Sequence, residues 1–372
     1  MKTKVVQFVS FSSLYNENLQ CELNKSERFN EKFELEEINL KNEMSIFERE
    51  TEIREYMKLS KFNKIVYWIR FNIFLYKKYA YLKGSVVNIQ FVNSNYAFIL
   101  PFIKKVFSKV IISFWGSDLL RQEKKQYFKL RLLSSNTDII SFETPEFARI
   151  FKTKIGYKYD AKIKLARFGV SLLPTIDAIT DEEIEAFLEK YKINKLKTVV
   201  AVGYNRTEAQ QHIPVIDSII KANVDRDKVF LVFPWTYGIN DDEYKNAIIS
   251  KVCDKFDYVF IEEKLPNIEV AALRCATDIM IQVQTTDVMS SSMLETLYAK
   301  NEIITGGWLP YQDIYNKGVS VNTVNDTNEV GETLNNILAK KMKNEILEKN
   351  KRTIESLYAW NNSIDTWIDL YL

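Results

Sequence analysis

The sequence predicts an α/β protein of two successive domains, each with a parallel sheet covered by helices on both faces. Three observations support this prediction. The chain of 372 residues is longer than the size at which one hydrophobic core usually stops growing. Short segments rich in β-branched and aromatic residues alternate with segments of helix length. These short segments are almost continuously apolar, which is typical of strands buried on both sides.

Four strands are expected in the first domain, which we place at residues 1–175. Their sequences are VVQFVSF, SVVNIQFV, VIISFWG and DIISFET, at residues 5–11, 85–92, 110–116 and 138–144. The first follows a basic start, but its apolar stretch is only about seven residues long and no small-residue cleavage site follows. A first strand is therefore favoured over a signal peptide, and a cytoplasmic protein is expected.

Six strands are expected in the second domain, which we place at residues 176–350. A charged helical segment, PTIDAITDEEIEAFLEKYKI, precedes them, and they lie at residues 198–204, 228–235, 258–263, 278–283, 302–307 and 319–324. Ligands of parallel sheets bind beyond the carboxyl ends of the strands. A functional site is therefore expected in the loops that directly follow strands. The expected architecture is two Rossmann-like domains with a cleft between them.

Composition excludes several classes of protein. No window holds the roughly 18 to 20 uncharged apolar residues that a membrane span requires. The cysteines, Cys21, Cys253 and Cys275, are odd in number and lack metal-ligand spacing, and His212 is the single histidine. Disulfides, zinc and a metal-dependent site are therefore not expected.

Basic residues accumulate in the first domain. Residues 56–117 contain ten lysines and arginines and no Asp or Glu. The segment KFNKIVYWIRFNIFLYKKYAYLKG has two interpretations. It is a helix packed on the sheet with lysines extending along its edges, or it contacts an anionic membrane surface or a lipid pyrophosphate. The acidic run EKFELEEINLKNE and the net charge of +2 argue against nucleic-acid binding.

The first candidate site follows the strand TVVAV, in the loop Gly203-Tyr204-Asn205-Arg206-Thr207. A glycine at a strand exit lets the backbone approach a ligand, and Arg206 with the next helix start near His212 offers cationic and N–H groups to a diphosphate. The alternative is an ordinary turn between strand and helix, with a surface arginine and a polar first-turn histidine.

The second candidate site follows the strand DIMIQV. Ser290, Ser291 and Ser292 precede a helix and offer hydroxyl and backbone N–H groups to phosphate oxygens, and Glu295 could accept hydrogen bonds from a ribose diol. The alternative is that the serines cap the helix and Glu295 is a favourable first-turn acid.

Around these residues the sequence resembles GT-B glycosyltransferases of the group 1 type. The resemblance is carried by Leu265-Pro266, by AALRCATDIMIQV and by SSSMLETLYAKNEIITGG. It implies a GT-B fold and a nucleotide-diphosphate sugar donor. Glu295 would bind the ribose of the donor, and Gly203 and Arg206 would contact its phosphates.

Two departures qualify this resemblance. Asp287 stands eight residues before Glu295, where many retaining members carry a glutamate, and His212-Ile213 replaces an expected lysine-glycine. The pattern of glycine, asparagine and histidine-isoleucine is similar to the 4-acetamido-4,6-dideoxygalactose transferases, which use a thymidine diphosphate donor.

The first domain carries a shorter resemblance, in the loop Trp115-Gly116-Ser117-Asp118. Related GT-B loops face the acceptor, so Asp118 is the candidate base for an acceptor hydroxyl, with helix capping as the alternative. The tail, residues 351–372, resembles the terminal GT-B helix that returns to the first domain.

The resemblance implies transfer of a sugar to a cell-envelope polysaccharide or a lipid-linked acceptor, without a cofactor or metal. Arg206 would stabilise the departing diphosphate, Asp118 and Asp287 would complete the catalytic set, and the enzyme would work at the inner face of the plasma membrane. Two alternatives stay open: a sugar-nucleotide 2-epimerase of the same fold, and a non-catalytic partner subunit.

Overall fold

The computed structural model describes residues 2–11, 13–51, 59–238 and 240–372, which form two compact units. One unit comprises Met1–Gly169 and Trp360–Leu372, and the other comprises Val170–Ala359. We expected the chain to change domain after residues 175 and 350. The chain changes unit after Gly169 and again after Ala359, six residues before and nine residues after these positions.

The first unit contains a sheet of six parallel strands in the order β2-β1-β3-β4-β5-β6. The strands are β1 (Thr3–Val9), β2 (Phe33–Asn39), β3 (Val86–Gln90), β4 (Lys109–Ser113), β5 (Ile139–Phe142) and β6 (Ile163–Leu165). Strand β1 lies between β2 and β3, so the direction in which the chain adds strands reverses between β1 and β3. Side chains from the loops after these two strands meet at the same edge of the sheet.

The strands β2 and β6 were not predicted, and both lie at an edge of this sheet. Strand β2 has the sequence FELEEIN, with Glu34 exposed and only Phe33 and Ile38 buried. Edge strands pair on one side only and often carry charges that discourage further pairing. The acidic run that argued against nucleic-acid binding is therefore, in part, a β-strand.

Nine helices described in the first unit cover its sheet. They are α1 (Leu14–Lys25), α2 (Glu27–Lys32), α3 (Leu40–Glu50), α4 (Lys61–Tyr79), α5 (Leu100–Val106), α6 (Ser117–Leu120), α7 (Tyr127–Ser135), α8 (Pro145–Ile155) and the terminal α18 (Trp360–Tyr371). The buried Trp367 of α18 donates its indole N–H to the carbonyl of Arg167 (2.8 Å), and its ring lies 4.8 Å from Phe168. The terminal helix is therefore part of the core of the first unit.

The second unit also contains six parallel strands, in the order β12-β11-β10-β7-β8-β9. They are β7 (Thr198–Val202), β8 (Val229–Pro234), β9 (Asp257–Ile261), β10 (Ile279–Gln282), β11 (Glu302–Gly306) and β12 (Asn322–Val324). All six correspond to expected strands, and several end earlier than expected. The direction of strand addition reverses between β7 and β10.

Helices cover both faces of this second sheet. They are α9 (Leu173–Ala178), α10 (Asp181–Lys190), α11 (His212–Lys221), α12 (Asp242–Val252), α13 (Asn267–Ala276), α14 (Ser291–Tyr298), α15 (Gln312–Asn316), α16 (Val330–Ala339) and α17 (Asn344–Tyr358). Along β7, Val200 and Val202 pack with α11 and α16, whereas Val199 and Ala201 pack with helices of the opposite face. Burial on both faces explains the continuous apolar character of the strand.

Within the described residues, no helix is both long enough and apolar enough to cross a membrane.

Candidate functional site

The candidate site of the second unit lies where the loops after β7 and β10 leave the same edge of the sheet. The backbone N–H of Thr285 donates to the carbonyl of Ala209 (2.9 Å). The side chains of Gln210 and Tyr204 both donate to Gln284 Oε1, at 3.0 and 3.1 Å. These contacts fix the two loops against each other at the point where parallel sheets usually bind ligands.

Gly203 is required at the exit of β7. Its φ is +67°, and a Cβ atom there would lie 2.9 Å from Gln210 Oε1 and 3.0 Å from His212 Nε2. Both the backbone conformation and the close approach exclude a side chain. The glycine therefore allows the loop to turn directly over the start of α11.

Arg206 projects from the same loop with a charge that no described carboxylate neutralises. Its Nη1 donates to Asn240 Oδ1 (3.1 Å) and its Nη2 to the carbonyl of Thr236 (3.3 Å), both of which are neutral acceptors. Its Nε is buried and has no hydrogen-bond partner among the described residues. A half-buried guanidinium with a spare donor is suited to an anionic ligand.

Asn205 shapes this loop from inside. Its Oδ1 accepts hydrogen bonds from the backbone N–H (2.9 Å) and the hydroxyl (2.7 Å) of Thr207. The side chain is buried and its oxygen is already used. Asn205, expected to bind the donor, is thus placed to hold the turn that carries Arg206.

His212 is the first residue of α11 and is fully buried. Its Nδ1 lies 3.1 Å from the hydroxyl of Tyr244, and its ring lies 5.1 Å from that of Trp235. Burial lowers the pKa of the imidazole to about 3, so it is neutral at physiological pH. It is placed as a neutral support beneath the Gly203 loop.

The serine turn after β10 divides its serines between two roles. Ser290 is the N-cap of α14, and its hydroxyl accepts a hydrogen bond from the backbone N–H of Met293 (3.3 Å). Ser291 and Ser292 are the first two residues of α14, at the end where the helix dipole is positive. The capping interpretation therefore holds for Ser290, and the other two serines lie at the positive end of the helix.

Glu295 forms a buried ion pair that sequence reasoning missed. Arg274 of α13 donates its Nε to Glu295 Oε2 (2.9 Å) and its Nη2 to the hydroxyl of Ser292 (2.9 Å). Burial raises the pKa of the Glu295 carboxyl, and the charge of Arg274 opposes that rise. An arginine within the otherwise apolar helical run AALRCA was the available signal for this pair.

Asp287 is held by two residues from neighbouring strands and loops. Its Oδ2 accepts hydrogen bonds from the hydroxyl of Tyr311 and from Gln282 Nε2 (3.3 Å). Burial raises the pKa of the Asp287 carboxyl, and the hydrogen bond from Tyr311 opposes that rise. Tyr311, which is fully buried, was not identified from the sequence.

In the first unit, Asp118 joins the loops after β3 and β4. Its carboxylate accepts backbone N–H groups from Val92 (2.8 Å), Trp115 (3.0 Å) and Gly116 (2.8 Å). Burial raises its pKa to about 6, and these N–H groups oppose the rise. Because its hydrogen bonds go to preceding residues, Asp118 does not cap α6, which was the alternative role.

Trp115 belongs to an aromatic cluster at the edge where β1 and β3 end. Its ring lies 5.8 Å from Phe91, 6.0 Å from Tyr15 and 6.4 Å from Phe11, and its indole N–H donates to Gln90 Oε1 (2.8 Å). Phe11 and Tyr15 are exposed. Gly116 and Ser117 follow Trp115 directly, so the expected acceptor-side loop lies beside these rings.

The described part of the chain contains no group of three or more His, Cys, Asp or Glu side chains placed to hold a metal ion.

Comparison with models of protein families and with curated protein sequences gives no match. Solved structures do match over the whole chain. A glycosyltransferase from Rickettsia africae has a TM-score of 0.73 at 13% identity, with 100% of this chain and 98% of that chain covered.

Two other solved structures give similar results. Anabaena HepE in complex with UDP has a TM-score of 0.71 at 9% identity, with 99% of each chain covered. Sucrose-phosphate synthase from Thermosynechococcus elongatus has a TM-score of 0.70 at 9% identity, with 100% of this chain and 98% of that chain covered. The two parallel six-stranded sheets and these likenesses confirm the prediction from sequence: the chain has the GT-B fold.

Proposed function

We propose that the protein is a glycosyltransferase that binds a nucleotide-diphosphate sugar at the edge of the second sheet where β7 and β10 end. The observation that carries the proposal is the meeting, in a GT-B fold, of the loop that carries Arg206 and the loop that leads into α14 at this reversal point. A cationic side chain and the positive N-terminal end of a helix are the groups that a diphosphate requires.

Arg206 would bind the diphosphate and stabilise it as it leaves. Negative charge on the β-phosphate grows when the glycosidic bond to the sugar breaks. The guanidinium and the α14 N–H groups therefore stabilise the transition state more than the bound substrate, which accelerates transfer. Gly203 would let the backbone approach the phosphates, and Asn205 and His212 would keep the loop in position.

Glu295 would bind the ribose hydroxyls with one carboxylate edge while Arg274 holds the other. The ion pair orients Glu295 and opposes the rise in its pKa that burial causes, so that the carboxyl group is placed to accept hydrogen bonds from two hydroxyl groups. Arg274 would thus be a positioning residue for nucleotide binding.

Uridine diphosphate is the first nucleotide to test, because solved structures of the similar HepE contain UDP, or UDP and glucose. Thymidine diphosphate is the second, because of the residues Gly203, Asn205 and His212-Ile213. The acceptor would be a glycan or lipid-linked glycan, bound beside the Trp115 aromatic cluster, since aromatic faces stack on sugar rings.

Asp287 would act near the sugar as a carboxyl group oriented by Tyr311, and no metal ion would take part. Asp118 would act mainly by positioning, because its carboxylate already accepts three backbone N–H groups. A base that must take a proton needs an accessible oxygen, so we now favour the aromatic loop over Asp118 as the acceptor contact.

The test compares nucleotide binding to the wild type, to Arg206→Ala and to the control Arg226→Ala. Arg226 is an exposed arginine whose Nη1 donates to the carbonyl of Asp254, and it precedes β8 at the opposite edge of the sheet. Loss of one charged hydrogen-bonding group predicts about ten- to hundredfold weaker UDP binding by calorimetry for Arg206→Ala alone. Uridine binding should change little.

Three results would count against the proposal. Absence of binding by any nucleoside diphosphate would favour a non-catalytic partner subunit. Equal weakening of uridine and UDP would show that Arg206 supports the loop rather than the phosphates. An isomerised donor, formed from sugar nucleotide without acceptor, would identify a 2-epimerase.

A further inference from the structure

The outer face of α4 carries a row of exposed apolar side chains. Phe62, Ile65, Ile69 and Ile73 are 73%, 60%, 56% and 51% exposed. At about 100° per residue they fall within an arc of about 80°, so they form one stripe along the helix. The opposite face of α4 packs into the core of the first unit through the buried side chains of Tyr67, Phe71 and Leu75.

The stripe continues into a groove. Ile65, Ile69 and Ile73 line an apolar depression of about 640 Å³ together with Phe98 and Pro101. Soluble proteins seldom expose a continuous apolar surface of this kind without a partner.

Basic side chains border the stripe on both sides. On the same helical projection, Lys61 lies about 40° from Ile65 on one side, and Lys77 and Arg70 lie about 40° and 60° from Ile73 on the other. Each of these three residues is exposed. Long basic side chains keep their aliphatic stems on an apolar surface while the charge reaches outward.

Among the described residues, the acidic groups that contact α4 lie on its other faces. Glu43 of α3 pairs with Lys78 (2.6 Å), and Glu48 of α3 accepts the hydroxyl of Tyr67 (3.0 Å). Helix α4 itself contains no acidic residue. The exposed stripe therefore presents apolar and positive groups together.

We propose that this stripe docks the protein on an anionic lipid bilayer, with the four apolar side chains entering the headgroup region. An apolar row between two basic borders is the arrangement of a helix that lies in a membrane interface. A second copy of this chain would set the same positive borders against each other, which opposes self-association through this face. Residues 56–58, which begin the basic stretch at residues 56–117 where membrane contact was expected, lie outside the described residues.

The test is flotation of the full-length protein with vesicles of phosphatidylcholine alone, or of phosphatidylcholine mixed equally with phosphatidylglycerol. Binding should require the anionic lipid, since each basic residue near the surface strengthens binding about fivefold. It should weaken when salt is raised to about 0.5 M.

Two variants separate the apolar and charged contributions. Ile69→Glu should weaken vesicle binding at least about tenfold, because it places a carboxylate in the centre of the stripe. Lys61→Gln with Lys77→Gln should remove the preference for anionic vesicles. The control is Leu196→Glu, which alters a 96% exposed apolar side chain of the other unit and should bind as the wild type does.

All variants change exposed residues, and thermal unfolding verifies that each folds. The proposal is overturned if folded wild type floats with neither vesicle, if it binds both equally, or if Leu196→Glu weakens binding as much as Ile69→Glu. It is also overturned if Ile69→Glu disperses a dimer or releases an acidic protein partner while vesicle binding persists. Nucleotide binding is not used, so its failure would leave this test unaffected.

Discussion

At the scale of single residues, Asp118 shows how burial changes the role of a carboxylate. The loop Trp115-Gly116-Ser117-Asp118 suggested a base for an acceptor hydroxyl. The carboxylate instead accepts three backbone N–H groups and joins the loops after β3 and β4. Replacing Asp118 should therefore lower the stability of the protein, because three backbone N–H groups would lose their acceptor.

Asp118→Asn tests this role. The amide keeps one acceptor oxygen but turns an NH2 group toward backbone N–H donors, so we expect a loss of about 1–3 kcal/mol in the free energy of unfolding. Urea denaturation measures it, and Asp369→Asn, at an exposed aspartate of α18, is the control. Unchanged stability with abolished transfer would restore Asp118 as the base.

His212 gives a prediction about pH, since it is the single histidine and burial lowers its pKa to about 3. The unfolded chain takes up a proton near pH 6.5, whereas the folded chain does not. Stability is therefore lost as pH falls below 6.5, by about 2 kcal/mol between pH 7 and pH 5.

The variant His212→Gln should lack this loss. Asp118 acts in the opposite direction, since its raised pKa destabilises the folded state as pH rises from about 4 to 6. The difference between wild type and variant in urea denaturation at pH 7 and pH 5 therefore isolates the histidine. Tyr244→Phe, which keeps His212, should retain the pH dependence. If wild type and His212→Gln differ in stability by the same amount at pH 7 and at pH 5, His212 is accessible to solvent in the folded protein.

At the scale of elements, the terminal helix α18 completes the core of the first unit. Trp360, Trp367 and Tyr371 are buried there, and the hydroxyl of Tyr371 accepts a hydrogen bond from Asn88 in the sheet (3.2 Å). The sequence resemblance implied that the tail, which contains Trp360 and Trp367, returns to the first domain. Both tryptophans are buried in one apolar cluster with Phe29 and Phe33.

Trp367→Ala should therefore destabilise the first unit. Removing a buried indole typically costs about 3–5 kcal/mol, and the carbonyl of Arg167 would also lose its donor. Differential scanning calorimetry should show one transition moved to lower temperature. Trp367→Phe, which keeps a ring but not the N–H group, should have a smaller effect; equal effects of the two variants would contradict this account.

At the scale of the whole molecule, each unit has its own sheet and its own buried clusters. Multidomain proteins often unfold in more than one transition. The candidate nucleotide site lies within the second unit alone. We therefore expect a ligand at that site to stabilise the two units unequally.

UDP at about 100 times its dissociation constant should stabilise the second unit by about 2.7 kcal/mol. In calorimetry the transition that Trp367→Ala lowers should stay in place, while the other moves to higher temperature. Adenosine, which lacks phosphates, serves as the control ligand. A shift of the Trp367-sensitive transition alone would place the nucleotide in the first unit.

The sequence by itself determined the fold class, because central strands buried on both faces must be continuously apolar, and that pattern is visible in a single chain. It also located the loops of Gly203, Arg206 and Ser290 through their positions after strands. These loops do lie together at the reversal between β7 and β10. Their binding roles remain predictions.

Only the tertiary structure decided the partners of these residues. The pairing of Glu295 with Arg274 and of Asp287 with Tyr311 joins side chains 21 and 24 residues apart. The edge strands β2 and β6 were likewise missed, because most of their side chains are exposed or half-buried and no continuous apolar pattern marks them. Local periodicity reports which segments are buried, whereas the partner of a buried polar group depends on how distant segments pack.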